Sequence, residues 1–317
     1  MQYRSFGSTG IKVSEVGFGA WAIGGTSYGT VDRQDSLRAL AKAEELGCNF
    51  VDTAFVYGDS ELVLGEFMQG RRNRWLIATK YSGQKAGIVA TVEEQLKRMR
   101  IDTIDFYQLH WCHREQDRQL YDDLYRLKES GKVRFVGVSL YNAGDIDYVL
   151  DHTDLDGFQV AFSLLDPDPY LAKLERVRGK KIGIIIRSCL NSGFLTGKYT
   201  RDSIFSDQHD QRRQWSRKDI VRTVEAAERF RFLEKEAGTM LLAAARYPLS
   251  FPETSTVIVG TKTAEQAAIN FGLIPDNVLR SQSLDRIQSL QEEWGLRSCS
   301  WKKPFGVLKQ IAYKWLR

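Results

Sequence analysis

Four polar residues stand at the ends of three successive apolar runs. Asp52 closes the run Asn49–Asp52, and Tyr57 follows five residues on. Lys80 ends Leu76-Ile77-Ala78-Thr79-Lys80, and His110 ends Asp105-Phe106-Tyr107-Gln108-Leu109-His110. A lone aspartate after a strand is usually a cap, and a lone histidine is usually a satisfied structural group. Their shared placement makes a common site the stronger reading. The residue types suit one reaction. Reducing a carbonyl group needs a proton for the alkoxide that forms as hydride arrives. A free tyrosine, with a pKa of about 10, is poorly matched to that task near neutral pH. A neighbouring ammonium favours the phenolate and lowers the value. The expectation is therefore that Lys80 lowers the pKa of Tyr57, that Asp52 holds Lys80 charged and oriented, and that His110 hydrogen-bonds the substrate oxygen.

The surrounding pattern shows what must position these groups. Strands are expected at Glu15–Gly19, Asn49–Asp52, Trp75–Thr79, Ile104–Leu109, Phe135–Ser139, Phe158–Ala161, Gly183–Ile186 and Thr256–Val259. Several are continuously apolar, as strands covered on both faces of a parallel sheet must be. Helical spacing lies between them: Ile88, Val92, Leu96 and Met99 in one stretch, Leu120, Leu124 and Leu127 in another. Gly47 and Gly131 occupy positions suited to helix C-caps. Eight such units predict a single-domain (β/α)8 TIM barrel or a doubly wound sheet, and in the barrel the rim at the C-terminal strand ends carries the site. Gly17-Phe18-Gly19-Ala20-Trp21-Ala22 is a loose match to the dinucleotide fingerprint of the doubly wound fold. The next residues, Ile23-Gly24-Gly25, make a poor helix start, and no acid clearly ends a second strand, so the barrel is preferred. Gly7 and Gly10, between short β-like runs, suggest an N-terminal hairpin plugging one end.

Composition narrows the class. The 317 residues are 43% hydrophobic and 27% charged, a globular mix that argues against disorder. No Pro- or Ser-rich linker divides the chain, and it is read as one barrel over 1–293 with a basic amphipathic extension over 294–317. The four cysteines form no CxxC pair, which favours a reducing, cytoplasmic setting. No signal-peptide pattern opens the chain, and no apolar run approaches the roughly 20 residues of a membrane span. The net charge of +5 comes without a basic block that would argue for nucleic acid. His110-Trp111-Cys112-His113 has no second ligand cluster, so no metal site is expected. Two stretches stand apart. Tyr199–Arg222 is polar and irregular, either a solvated surface loop or a functional one. The tail Trp294–Arg317 carries Arg297, Lys302, Lys303, Lys309, Lys314 and Arg317 and no acid. It is read as a helix packed on the barrel or on another subunit, ahead of a helix lying on a membrane surface.

The run Phe50-Val51-Asp52-Thr53-Ala54-Phe55-Val56-Tyr57-Gly58, with Ser60-Glu61 and Leu64-Gly65 after it, resembles the signature of the aldo-keto reductase family. Ile77-Ala78-Thr79-Lys80 and Asp105–His110 are similar to the family's next two segments, and the resemblance runs from about Tyr3 to about Asn270. It implies a catalytic tetrad of Asp52, Tyr57, Lys80 and His110, with Tyr57 as general acid and hydride delivered directly, without a metal, to an aldehyde or ketone. It also implies NADPH, with NADH the lesser expectation. Gly19-Ala20-Trp21 and Asp52 would lie beside the nicotinamide ribose, and Ser139 and Gln159 would grip the carboxamide. Ser188, Leu190, Gly193, Leu195, Gly197 and Lys198 would clamp the pyrophosphate. Gly260-Thr261-Lys262 resembles the 2′-phosphate site, where a cation at a helix N-terminus suits an anion. Gln266 and Asn270 match the adenine contacts. Trp21, Tyr57, His110 and Trp111 would wall the substrate pocket, with Tyr81 and Tyr141 available to extend it. The chain departs from the pattern at Leu140, Phe162, Ser163 and Ile269. It departs also at Arg187, where the family has an aromatic on the nicotinamide and a planar guanidinium could stack instead. A low-turnover, cofactor-sensing regulatory subunit of the same fold is the alternative the resemblance allows.

Overall fold

The computed structural model describes residues 1–114, 117–272 and 278–297. A two-stranded antiparallel hairpin opens the chain, β1 (Tyr3–Ser5) against β2 (Lys12–Ser14). Eight parallel strands then close on themselves: β3 (Val16–Gly19), β4 (Phe50–Asp52), β5 (Leu76–Tyr81), β6 (Ile104–Leu109), β7 (Val133–Leu140), β8 (Gly157–Ala161), β9 (Gly183–Arg187) and β10 (Thr256–Gly260). Each pairs with its sequence neighbour, and β10 returns to pair with β3. All eight expected barrel strands are present, and the hairpin is where the paired glycines placed it. Lys80 lies within β5 rather than just past it.

Helices wrap the barrel: α1 (Arg33–Glu45), α2 (Ser60–Phe67), α3 (Gly87–Met99), α4 (Arg118–Glu129), α5 (Ala143–His152), α6 (Leu174–Val177), α7 (Arg217–Glu228), α8 (Glu234–Ala237), α9 (Met240–Leu249), α10 (Ala264–Gly272) and α11 (Ser281–Glu293). Their starts are chemically marked. The side chains of Asp32, Asn142, Ser216 and Thr239 each accept a backbone N–H three residues on, satisfying donors that a first helical turn leaves free. Ile88, Val92, Leu96 and Met99 are all buried on one face of α3. Arg217–Arg222, read from sequence as the end of an irregular loop, instead forms the start of α7 behind its Ser216 cap. No described helix is long and apolar enough to cross a membrane. Of the tail, residues 298–317 lie outside the described residues.

The barrel interior is filled, and the filling sets the register. Ala78 pairs with Phe106, Gly137 with Gly157, and Gly157 with Gly183. The hairpin delivers Phe6 into the space these small residues leave, where it packs with Phe50, Ala78, Phe106 and Ile185. A Cβ on Gly183 would meet the Phe6 ring at 2.4 Å, so glycine there is what admits the plug. Two residues further along each strand the same inward set becomes polar. It runs Asp52, Lys80, Gln108, Ser139, Gln159 and Arg187, by the period-two alternation of side chains. The fold therefore closes one end of the barrel with phenylalanines and lines the other with groups that can do chemistry.

Candidate active site

Lys80 and Asp52 form the base of the site, and both are buried. Lys80 Nζ donates to Asp52 Oδ1 at 2.6 Å and to the carbonyl of Thr53 at 2.7 Å. Asp52 Oδ2 accepts from Gln108 Nε2 at 3.0 Å and from Gln159 Nε2 at 2.8 Å. A buried carboxylate held by an ammonium and two amides is well satisfied. Gln108 was not foreseen as a site residue. Its position was readable, since it stands two residues before His110 on the same face of β6.

Behind β5 a second buried network fixes the lysine's strand. Glu61 accepts from Thr79 Oγ1 at 2.8 Å and from Gln95 Nε2 at 2.6 Å, and pairs with Arg98 at 3.0 Å. Gln95 also reaches the Lys80 carbonyl at 3.3 Å. Burial raises the Glu61 pKa, and these donors work against that.

Above the pair, aromatic rings converge. The Tyr57 ring centroid lies 5.1 Å from Lys80 Nζ. Tyr57 stacks on Trp21 at 5.5 Å and meets His110 edge-on at 5.7 Å, and His110 stacks on Trp111 at 5.6 Å. The four residues expected to wall the substrate pocket are thus contiguous. His110 Nδ1 lies 2.7 Å from Ser82 Oγ. With the serine hydroxyl donating, the imidazole proton is assigned to Nε2.

Electrostatics correct one expectation. Lys80 was to lower the pKa of Tyr57. Instead, burial pushes the phenol well above its ordinary value, and the charge of Asp52 adds to the effect. Tyr57 therefore keeps its proton, which is the form a proton donor needs. Burial lowers the Lys80 pKa, and Asp52 opposes that. His110 is driven well below its ordinary value by burial, with the charges of Lys80 and Arg187 acting in the same direction. The imidazole is neutral.

The residues expected to hold a dinucleotide are spread along the adjoining strand ends. Gly19 pairs with Asp52 on one side and Gly260 on the other, with Trp21 in the short helix that follows. Ser139 and Gln159 are register partners. Ser139 Oγ is buried with no hydrogen-bond partner among the described residues, and Gln159 is already committed to Asp52. Arg187 turns into the mouth, donates Nη2 to the Leu140 carbonyl at 2.8 Å, and has one face over Tyr141 at 4.4 Å. After β9 the backbone is left-handed at Ser188, Asn191, Ser192 and Gly193, with φ of 61°, 47°, 54° and 89°. Non-glycine residues in that region cost about 1–3 kcal/mol each and mark places where the chain is held for a purpose. Leu195 is buried in the core and Lys198 is exposed, so Leu195 can meet a ligand only through its backbone.

Lys262 Nζ donates to the Tyr28 carbonyl. Gln266 is exposed and accepts from the Lys262 N–H at 2.9 Å, while Asn270 is buried and donates to Thr261 Oγ1 at 2.8 Å. Asn270 thereby shapes the Gly260–Lys262 loop from behind.

The polar stretch after Tyr199 is a strap. Gln211 N–H donates to the Ser27 carbonyl at 2.9 Å, Gly29 N–H to the His209 carbonyl at 3.1 Å, and Thr30 N–H to Asp207 Oδ2 at 3.0 Å. Buried Arg212 fastens it from within. Arg212 pairs with Asp210, donates to the Ser192 carbonyl at 2.9 Å, and lies 5.3 Å from the Tyr28 ring. Read from sequence as either a solvated or a functional loop, the stretch is bonded back onto residues 27–30 and Ser192. Its partners lie far away in sequence, and only the polar run Gln211-Arg212-Arg213-Gln214 signalled it.

The eight-stranded barrel thus carries a buried lysine–aspartate pair at its C-terminal rim, with a tyrosine and a histidine set over it. The sequence profile of the aldo/keto reductase family matches residues 15–292, and the chain belongs to that family. It is an NAD(P)H-dependent oxidoreductase. Among its relatives, the aldo-keto reductase YhdN of Bacillus subtilis is 32% identical over 65% of this chain and 67% of its own. The NADH-specific methylglyoxal reductase of Escherichia coli is 26% identical over 88% of this chain and 95% of its own. The solved structure of the glycerol dehydrogenase AKR11B4 from Gluconobacter oxydans superposes with a TM-score of 0.79 at 23% identity, covering 92% of this chain and 95% of that one.

Proposed function

We propose that the protein reduces an aldehyde or ketone to the alcohol with NADPH, Tyr57 serving as general acid. The observation that carries this is the Tyr57 phenol set over the buried Lys80–Asp52 pair and against His110, with burial raising the phenol's pKa and lowering the imidazole's. When bound, the reduced nicotinamide supplies a hydride. The remaining work falls to the protein. His110 Nε2–H donates to the carbonyl oxygen and orients it. Tyr57 transfers its phenolic proton to that oxygen as negative charge develops there. Lys80, held by Asp52 and the Thr53 carbonyl, stabilises the phenolate left behind. Trp21 and Trp111 flank the reacting centre and exclude water.

The residues present suit a dinucleotide. The orphan Ser139 hydroxyl at the rim is matched to a carboxamide. The turn after β9 is held tight by its own backbone, with the N–H groups of Asn191, Gly193 and Leu195 donated to the Ser188 and Leu190 carbonyls, and it lies in the segment proposed to meet the pyrophosphate. Lys262 and Lys198 add positive charge nearby; burial lowers the Lys262 pKa, and the charge of Asp210 opposes that. The preference for NADPH rests on Lys262, whose ammonium already points back over the loop to Tyr28. Titration of NADPH and NADH into the wild type and Lys262→Ala tests it. Tighter NADPH binding by about tenfold or more, largely abolished by the substitution, is the expected result for one charge-assisted phosphate contact. Equal affinities in the wild type would remove the phosphate reading and leave the nicotinamide reading standing. Failure of both cofactors to bind would instead remove the enzyme reading.

A further inference from the structure

One buried carboxylate has no part in the proton transfer described above. Glu61 is fully buried and lies behind β5, where Thr79 alternates with Lys80 and so points away from the barrel interior. Its Oε1 accepts from Thr79 Oγ1 at 2.8 Å and from Gln95 Nε2 at 2.6 Å. Gln95 is fixed in turn by Tyr107 Oη, which donates to its Oε1 at 2.8 Å, and its amide reaches the Lys80 carbonyl at 3.3 Å. The other Glu61 oxygen, Oε2, lies 3.0 Å from Arg98 Nε, an ion pair out of line for a hydrogen bond. Arg98 carries the anchorage on to the Tyr57 loop. Its Nη2 donates to the Gly58 carbonyl at 3.0 Å, and its guanidinium lies 5.3 Å from the Phe55 ring. These contacts fall on both sides of Tyr57. Gly58 is left-handed, with φ of 56°, and a Cβ there would strike the Gly24 carbonyl, so the loop has little room to settle elsewhere. The Phe55 N–H also donates to the Lys80 carbonyl at 3.4 Å. Lys80 on its strand and Tyr57 in its loop are thus tied to the same buried ion pair.

We propose that Glu61 and Arg98 are positioning residues for the proton transfer, a pair that fixes where the Tyr57 phenol stands over Lys80. The proposal rests on the carbonyl-reductase reading and deepens it. Displacing a proton donor by a fraction of an ångström slows the transfer while binding is untouched. Because Oε2 meets Arg98 charge to charge, Glu61→Gln removes the attraction and keeps the side chain's shape. Its amide oxygen can still accept from Thr79 and Gln95.

The test is a double-mutant cycle. Wild type, Glu61→Gln, Arg98→Gln and Arg98→Lys are made with Tyr57 intact, and the two glutamine variants again with Tyr57→Phe. Each is assayed for kcat on methylglyoxal and on 4-nitrobenzaldehyde at saturating NADPH, and NADPH is titrated by fluorescence. With Tyr57 intact, kcat is expected to fall about tenfold or more in Glu61→Gln and in Arg98→Gln, with KM and NADPH affinity within about twofold of wild type. Arg98→Lys keeps the charge but cannot serve Glu61 and Gly58 together, and is expected to lie between. In the Tyr57→Phe background, where the positioned hydroxyl is gone, the same substitutions should change the residual kcat by less than about twofold. Arg98 is at the edge of the network and partly exposed, so its variants carry the cycle should Glu61→Gln fail to fold. Equal losses in the two backgrounds, or a loss of kcat that follows weaker NADPH binding, make the pair a general support of the fold and overturn the proposal. So does unchanged kcat in both glutamine variants. No turnover of either aldehyde by the wild type overturns the proposal together with the reading it rests on.

Discussion

The gathering of Asp52, Lys80 and His110 at one rim was legible because strand alternation is strict. Asp52, Lys80 and His110 share inward parity, and a chain of apolar residues before each fixes its depth in the barrel. The sign of the Tyr57 shift was not legible, because desolvation depends on how Trp21, His110 and the rim close around the phenol, and no local pattern encodes that. The consequence is testable. Tyr57→Phe removes only a hydroxyl, so kcat should fall by about 10² to 10⁴, the usual worth of a positioned proton donor, while NADPH still binds in a fluorescence titration. Turnover near the wild-type level would assign the proton to another group. The pH profile follows from the same geometry. Reduction needs a protonated phenol, and a raised pKa keeps it protonated until the pH passes the ordinary tyrosine value. His110, with a depressed pKa, stays neutral as the pH falls through the ordinary histidine value. Reductive kcat/KM should therefore be level from about pH 6.5 to about pH 9. A limb with its midpoint near neutrality would show that His110 or Tyr57 titrates there and that burial does not govern the site.

Among the elements, the strands were the easiest to foresee and the strap the hardest. Barrel strands announce themselves as apolar runs of fixed length. The segment after Tyr199 is stabilised by contacts such as Gln211 to Ser27 and Arg212 to Tyr28, which no window of sequence contains. Its central residue is Arg212, buried beside Asp210 and bonded to the carbonyl of left-handed Ser192. The same arginine thus joins the strap to the strained turn expected to meet the cofactor's phosphates. Arg212→Met would leave Asp210 buried without its partner, at a cost of about 3–5 kcal/mol if the strap stayed shut. The few backbone hydrogen bonds that hold the strap to residues 27–30 are worth about 0.5–1.5 kcal/mol each, so the strap should open while the barrel stays folded. Faster proteolytic cleavage between Tyr199 and Trp215, and a cofactor dissociation rate raised about tenfold or more, are the expected readouts. Unchanged dissociation with demonstrable cleavage would make the strap a structural cover with no hold on the cofactor.

For the whole molecule, the division into a barrel and a basic extension can be placed by packing rather than by composition. The eight strands close at β10, yet the core continues beyond it. Leu296 is 4% exposed, and Arg297 Nε donates to Gln291 Oε1 at 3.2 Å. Gln291 is itself fully buried and donates to the Leu164 carbonyl and to Tyr247 Oη, at 3.0 and 3.2 Å. The turn after α11 is therefore joined to the barrel through a buried polar node, four residues beyond the end assigned from sequence at residue 293. The basic composition begins at Trp294, three residues before the last described contact with the barrel at Arg297, so composition alone does not place the end of the packing. A chain ending after Arg297 should keep its melting temperature and its turnover. A chain ending after Glu293 loses the buried Leu296 side chain, worth about 1.5–3 kcal/mol, and exposes the Gln291 node. It should melt several degrees lower while the Lys80–Asp52 pair, which makes no hydrogen bond to Gln291, stays assembled. Equal melting temperatures for the two truncations would put the boundary at 293 and make the Leu296 contact incidental. A large loss in the longer one would show that residues beyond Arg297 belong to the folded barrel.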